Sequence, residues 1–141
     1  MQRQPMEGDV IPQILSFWEQ RVKELSGLGV DLARLVVDPG IGFGKTVVQN
    51  FSLLARQEAL LQAGLPLLVG WSRKSSLSGV TQTSLAAAAT LDSIDRMVPS
   101  VVAAVLAVER GARVVRVHDV KETVQGIKVW AAMRAASPSL G

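Results

Sequence analysis

A chain of 141 residues has room for one modest domain, and its composition, 48% apolar and 19% charged, is that of a folded globular protein. Fifteen Lys and Arg against 12 Asp and Glu leave a net charge of +3, which suits a small anionic ligand better than a polyanion; with three Trp, three Phe and no Tyr, the chain lacks the aromatics that a base-stacking nucleic-acid surface needs. The lack of cysteine excludes disulfides, thiolate metal sites and Cys nucleophiles. No apolar run approaches the roughly 20 residues of a membrane span, and the polar start, Met1 to Asp9, lacks the pattern of a signal peptide, although Met1 need not be a natural start. The expectation is a cytoplasmic protein without nucleic-acid or membrane partners.

Taken in chain order, the first element is an amphipathic helix from Asp9 to about Ser26. Val10, Ile14, Phe17, Trp18, Val22 and Leu25 recur at spacings of three and four, Asp9 is a suitable N-cap, Pro12 is tolerated in the first turn, and Gly27 and Gly29 end the helix. Residues 34–38 (RLVVD) then read as a strand, followed by a helix from Gln49 to Ala63 that stops at Gly64. A second strand covers residues 66–70 (PLLVG). Between Ser75 and Pro99 the pattern loosens: Ser78, Gly79 and residues 81–83 read as a mobile loop, and Leu85 to Leu91 as a short extra helix. A helix from Ser100 to Arg110 ends at Gly111, a third strand covers residues 113–117 (RVVRV), and a last helix runs from Lys121 to Ala136.

One helix followed by three strand–helix units predicts an α/β fold with a parallel sheet and right-handed crossovers. The short, β-branched strand runs predict burial on both faces. A closed parallel barrel needs eight strands and about 250 residues, so periodicity leaves open a small open sheet or part of a barrel.

In parallel α/β folds, sites form at the C-terminal ends of strands. The segment after the first strand (DPGIGFGK, residues 38–45) ends like a phosphate-cradling P-loop, but Pro39 stands where that loop requires glycine. Asp38 reads either as a turn former or as a buried carboxylate accepting paired hydrogen bonds from a flat aminopyrimidinone-like heterocycle. After the second strand, Arg73 and Lys74 lie between Ser72 and Ser75; they read either as a solvated turn or as a pair of which one cation points into the site. On the third strand, alternation puts Arg116 and His118 on one face. An unpartnered buried Arg is costly, so the two are expected to face a ligand or a carboxylate together. Asp119 and Glu122 read as a helix start with a capping box. One His and scattered carboxylates offer no metal-ligand spacing, nor is there an order that suggests a Ser-His-Asp triad. Trp18 and Trp130 fit helical stripes, and Trp71 stands beside the predicted site as a possible aromatic anchor.

Three blocks in this order, residues 37–45 (VDPGIGFGK), 65–75 (LPLLVGWSRKS) and 115–123 (VRVHDVKET), make the chain resemble the dihydropteroate synthase family, the folate-pathway enzymes that sulfonamides inhibit. The resemblance implies an α/β fold that is the C-terminal part of a (β/α)8 barrel, with residues 1–141 forming a partial pterin-binding barrel domain: the fifth helix, then βα units six to eight. It further implies joining of 6-hydroxymethyl-7,8-dihydropterin diphosphate to p-aminobenzoate with release of diphosphate. In that family pattern Asp38 would pair with the pterin, Lys74 would reach the pterin ring near Gly70, Arg116 would stack on the pterin, and Arg116 with His118 would hold the diphosphate. Phe43, Arg73 and Ser75 would line the p-aminobenzoate side. Mg²⁺ is the implied cofactor, its Asn ligand lying on a first strand without counterpart here, and a homodimer through the C-terminal helices is the implied assembly. The expectation is therefore a fragment that is inactive alone. Competing readings are a pterin-binding methyltransferase domain and a non-catalytic pairing module; residues 72–75 (SRKS) with 116–118 (RVH) favour the synthase.

Overall fold

A computed structural model of the chain describes residues 6–81 and 96–136. The first helix, α1 (Val10–Gly27), starts where the pattern predicts, with Asp9 as N-cap accepting the Ile11 N–H. Val10, Ile11, Ile14 and Trp18 form its buried stripe. A short 3-10 helix, Leu32–Arg34, then leads into the first strand segment.

The regular strands are shorter than the five-residue runs predicted. Val37 forms a parallel bridge with Leu67. β1 (Leu68–Val69) pairs in parallel with β2 (Val114–Val115), Leu68 opposite Val114 and Val69 opposite Val115. Backbone hydrogen bonds from Val37 to Pro66, Leu68 to Val37 and Arg116 to Val69 extend the ladder beyond these pairs. The three segments thus lie side by side in chain order and run parallel, as the alternation of strands and helices predicts. Burial on both faces is corrected. Val37, Leu67 and Val69 are buried, but Val36 is 51% and Val114 43% exposed. Side chains alternate across a strand, and by the observed register the buried ones share one face and the exposed ones the other.

The predicted Gln49–Ala63 helix is two pieces. Thr46 starts α2 (Val47–Ala55) through a reciprocal capping box with Gln49. A 3-10 helix, Gln57–Ala63, follows the joint at Arg56 and stops at Gly64. The loop expected after Ser75 begins instead as a helix, α3 (Ser75–Thr81), with Ser76 and Leu77 buried. Ser78, Gly79 and Thr81 are weak helix formers, and packing of Leu77 overrides their preference. The extra helix predicted from Leu85 to Leu91 lies outside the described residues.

α4 (Met97–Glu109) turns Ala103, Ala104 and Ala107 to the core. α5 (Val120–Ala136) packs closely on it at Gly126, where an added Cβ would come within 2.9 Å of Val101 and 3.1 Å of Val105. The buried Gln57 amide donates to the carbonyls of Ala107 and Arg110, tying the 3-10 stretch to the end of α4. Leu53, Leu54, Leu60, Leu67, Val69 and Trp71 complete the core with the α1 stripe. No helix among the described residues is long and apolar enough to cross a membrane.

Candidate functional site

The segments that leave the three strands meet at one end of the sheet. Asp38 Oδ1 accepts the Gly40 N–H at 2.8 Å, and Oδ2 lies 3.6 Å from Arg116 Nη2. Arg116 reaches across the middle strand because Gly70 carries no side chain: a Cβ there would sit 3.1 Å from Nη2 and 3.4 Å from Nε. Gly70, Ser72, Arg73, Lys74, Arg116, Val117 and His118 line a cleft of about 420 Å³. Two expectations change. The Asp38 carboxylate is not buried, its side chain being 35% exposed, and Arg116 is 65% exposed rather than embedded. Arg116 does meet a carboxylate, but a pair so open to water contributes little to stability.

Lys74 and Arg73, adjacent in sequence, take different partners. Lys74 Nζ stands 4.2 Å from the centroid of the Phe43 ring. Its stem runs against Gly42, where a Cβ would come within 3.0 Å of Lys74 Cδ; Gly42 also has φ +80°, a backbone that glycine accepts without strain. Partial burial lowers the Lys74 pKa from the usual lysine range, Arg116 adds to the fall, and Asp38 opposes it. Arg73 has φ 58°, left-handed for a residue with a side chain. Three contacts hold it there: its N–H donates to Ser100 Oγ at 2.8 Å, its carbonyl accepts from Arg96, and its guanidinium binds Asp119 through Nη2 at 2.8 Å and Nε at 3.3 Å. The hydrogen bond from Arg73 holds the Asp119 carboxyl below its usual range and raises the guanidinium in turn. This corrects the reading of Asp119 as only a helix start: it occupies the N-cap position of α5, and its carboxylate fixes Arg73.

His118 is exposed at the mouth of the cleft. Ser72 Oγ, beneath it, accepts the His118 backbone N–H at 3.1 Å and lies 2.9 Å from Nδ1. Phe43 is exposed on the far side of Lys74, and Ser75 is exposed at the start of α3, outside the cleft lining. Lys45 Nζ donates to the carbonyls of Gly40 and Phe43 at 2.9 and 3.0 Å, clasping its own loop rather than reaching out as a P-loop lysine does. Trp71 is no anchor for a ligand: it is buried in the core, tilted against Phe51 with centroids 5.3 Å apart, and its Nε1 has no hydrogen-bond partner. Trp18 is a core residue whose Nε1 donates to the Asp38 carbonyl, and Trp130 donates to Glu109.

Sequence reasoning missed Asn50. It is 1% exposed, accepts the Gly42 N–H at 3.0 Å and donates to Ser76 Oγ at 2.9 Å. An amide at the spacing of Leu53, Leu54 and Gln57, on the apolar stripe of α2, was the available signal, because a buried amide must be hydrogen-bonded. Among the described residues no group of three or more His, Cys, Asp or Glu side chains is placed to hold a metal ion.

The profile of the pterin binding enzyme family matches residues 1–118, and the chain belongs to that family. Its relatives include the dihydropteroate synthase of Neisseria meningitidis serogroup C, 40% identical over 134 residues, which cover 94% of this chain and 45% of the relative. Among solved structures, the dihydropteroate synthase of Stenotrophomonas maltophilia matches with a TM-score of 0.87 at 41% identity, over 98% of this chain and 49% of that one. The enzyme from Xanthomonas albilineans in complex with 7,8-dihydropteroate matches with a TM-score of 0.85 at 38% identity, over 98% and 50%. The chain thus spans about half the length of the relatives it matches, and its fold is a portion of their (β/α)8 barrel.

Proposed function

We propose that the protein carrying this chain is a dihydropteroate synthase, and that the 141 residues supply the fifth helix and βα units six to eight of its barrel. The observation that carries the reading is the cleft at the strand ends, where Lys74, Arg116 and His118 gather beside the Asp38 carboxylate. A flat pterin carrying a diphosphate presents donors at its aminopyrimidinone edge and negative charge at its tail. Asp38 accepts from the aminopyrimidinone edge. Lys74 donates to the ring, which approaches closely at Gly70, and Arg116 lies along the ring plane and reaches the diphosphate with His118.

The reaction breaks the C–O bond between the hydroxymethyl carbon and the diphosphate, and the bonding electrons leave with the diphosphate. Arg116, His118 and Lys74 stabilise that departing charge in a site already organised to receive it. The electron-rich pterin tolerates the positive carbon, the amine of p-aminobenzoate forms the new C–N bond, and the amine then loses a proton. Phe43 and Ser75 flank the amine's approach, and Arg73, locked by Asp119, sets the position of that wall. Mg²⁺ would add charge stabilisation at the diphosphate. The described residues offer it no ligand cluster, so no step above runs through it.

The outer faces of α4 and α5 support a homodimer: Val98, Val102 and Leu106 recur every fourth residue on α4, and Val129 and Met133 do so on α5, all exposed. The experiment that tests the enzymatic reading is coupling of the pterin diphosphate to p-aminobenzoate by the full-length protein. Formation of 7,8-dihydropteroate and diphosphate in equal amounts is expected, with none from the 141-residue chain alone. A full-length protein that binds the pterin yet forms no product overturns the reading.

A further inference from the structure

The Ser72–His118 contact involves one hydroxyl and two nitrogens of the same histidine. A serine hydroxyl has one proton and two acceptor lone pairs. Ser72 Oγ accepts the backbone N–H of His118 at 3.1 Å, and the Nδ1 of the same residue is 2.9 Å away. Were Nδ1 protonated in the neutral ring, Ser72 Oγ would accept two hydrogen bonds and its own proton would need a third partner at a residue that is only 7% exposed. With Nδ1 bare, the hydroxyl proton goes to Nδ1 and every group in the contact is satisfied.

We infer that Ser72 is a positioning residue that sets the tautomer of His118, leaving Nδ1 without a proton and presenting Nε2–H as a donor to an anion in the cleft. The backbone bond and the ring bond come from one oxygen, so the ring cannot rotate about χ2 without losing the second. Ser72 is itself placed by the buried turn after β1, which connects to Arg73 and its bond to Ser100. The same hydroxyl thus joins the second strand's turn to the third strand's end, 46 residues away. The inference rests on the diphosphate reading for its consequence but not for its measurement.

The test uses the full-length protein with ¹⁵N-labelled histidine, and His118→Gln to assign the ring. Long-range ¹H–¹⁵N correlation, at a pH where titration shows the ring neutral, should find the proton on Nε2 in the wild type and in Ser72→Thr, which keeps the hydroxyl. Ser72→Ala should give a mixture of tautomers. Inorganic diphosphate should bind Ser72→Ala about two- to tenfold more weakly, the loss expected for one oriented hydrogen bond, and bind Ser72→Thr nearly as the wild type. A proton on Nδ1 in the wild type overturns the inference even if Ser72→Ala fails to fold, as does an unchanged ring spectrum in a folded Ser72→Ala. Failure of the protein to make dihydropteroate would leave the tautomer result intact, so the two readings fail separately.

Discussion

Adding one methyl group at Gly70 would bring a Cβ to 3.1 Å from Arg116 Nη2 and 3.4 Å from Nε, tighter than an ordinary contact, and the exposed guanidinium would have to shift by a few tenths of an ångström over the middle strand. Gly70 is not among the glycines with positive φ, so alanine meets no backbone strain there. Loss of unfolded-state freedom stabilises a compatible Gly→Ala change by about 0.4–1 kcal/mol. The displaced Arg116 is 65% exposed and its pair with Asp38 is worth little, so the net change in stability should stay within about 1 kcal/mol. At the site the effect is of another size. A hydrogen bond from a charged group contributes about 1.5–3 kcal/mol, and its loss weakens a diphosphate ligand about 10- to 150-fold. Calorimetric titration of the full-length Gly70→Ala protein with inorganic diphosphate, beside a thermal scan, measures both. A melting temperature within about 4 °C of the wild type is expected, with affinity down by about two- to tenfold as the hydrogen bond is misaligned rather than lost. Unchanged affinity would refute the role given to Arg116; a large fall in melting temperature with unchanged affinity would show that Gly70 serves packing.

Asn50→Ala should cost about 1–3 kcal/mol in urea unfolding, because it removes two hydrogen bonds of a buried amide, the one from the Gly42 N–H and the one to Ser76 Oγ; a loss under 0.5 kcal/mol would contradict the network. Lys74→Arg keeps the charge but exchanges a compact ammonium for a planar fork beside Phe43, and steady-state assays should show turnover reduced by more than about tenfold; near-normal turnover would remove Lys74 from the chemistry. Arg73 holds the Asp119 carboxyl below its ordinary value, so the pair's stabilisation is present above the unfolded carboxyl pKa, near 3.9, and is lost as pH falls through the lower folded value. Urea midpoints should therefore favour wild type over Asp119→Asn at pH 7 and pH 5, with the gap closing below about pH 4; a gap that widens on acidification would refute the linkage.

The helix α1 was legible because period, cap and stop signal agree at Asp9, Val10 to Leu25 and Gly27. The strands were legible as short β-branched runs, but the exposure of Val36 and Val114 was not, because whether a strand face is covered depends on distant segments rather than on local pattern. α3 was obscured by Ser78 and Gly79, whose local preference opposes what Leu77 gains in the core. At the site, strand-end position singled out Asp38, the Arg73–Lys74 pair, Arg116 and His118 as candidates, since alternation and topology dictate where strand ends point, and the family resemblance chose Lys74 within the pair. The partners were harder to foresee. Asp119 carries a strong local capping signal, yet its carboxylate is taken by Arg73, 46 residues away. Ser72 and Asn50 act through contacts of 46, 8 and 26 residues, and no spacing rule in one chain reveals those.

Asn50 joins the loop that carries Phe43 to the helix that follows Lys74, using one buried amide with a hydrogen bond on each side. The glycine loop and the turn after the second strand are therefore coupled through one side chain. A substitution on the glycine loop should be felt at the lysine turn, and pairs of mutations across them should depart from additivity by an amount that vanishes when Asn50 is removed. Evolutionary change on either segment is then constrained by a buried side chain that lies on neither.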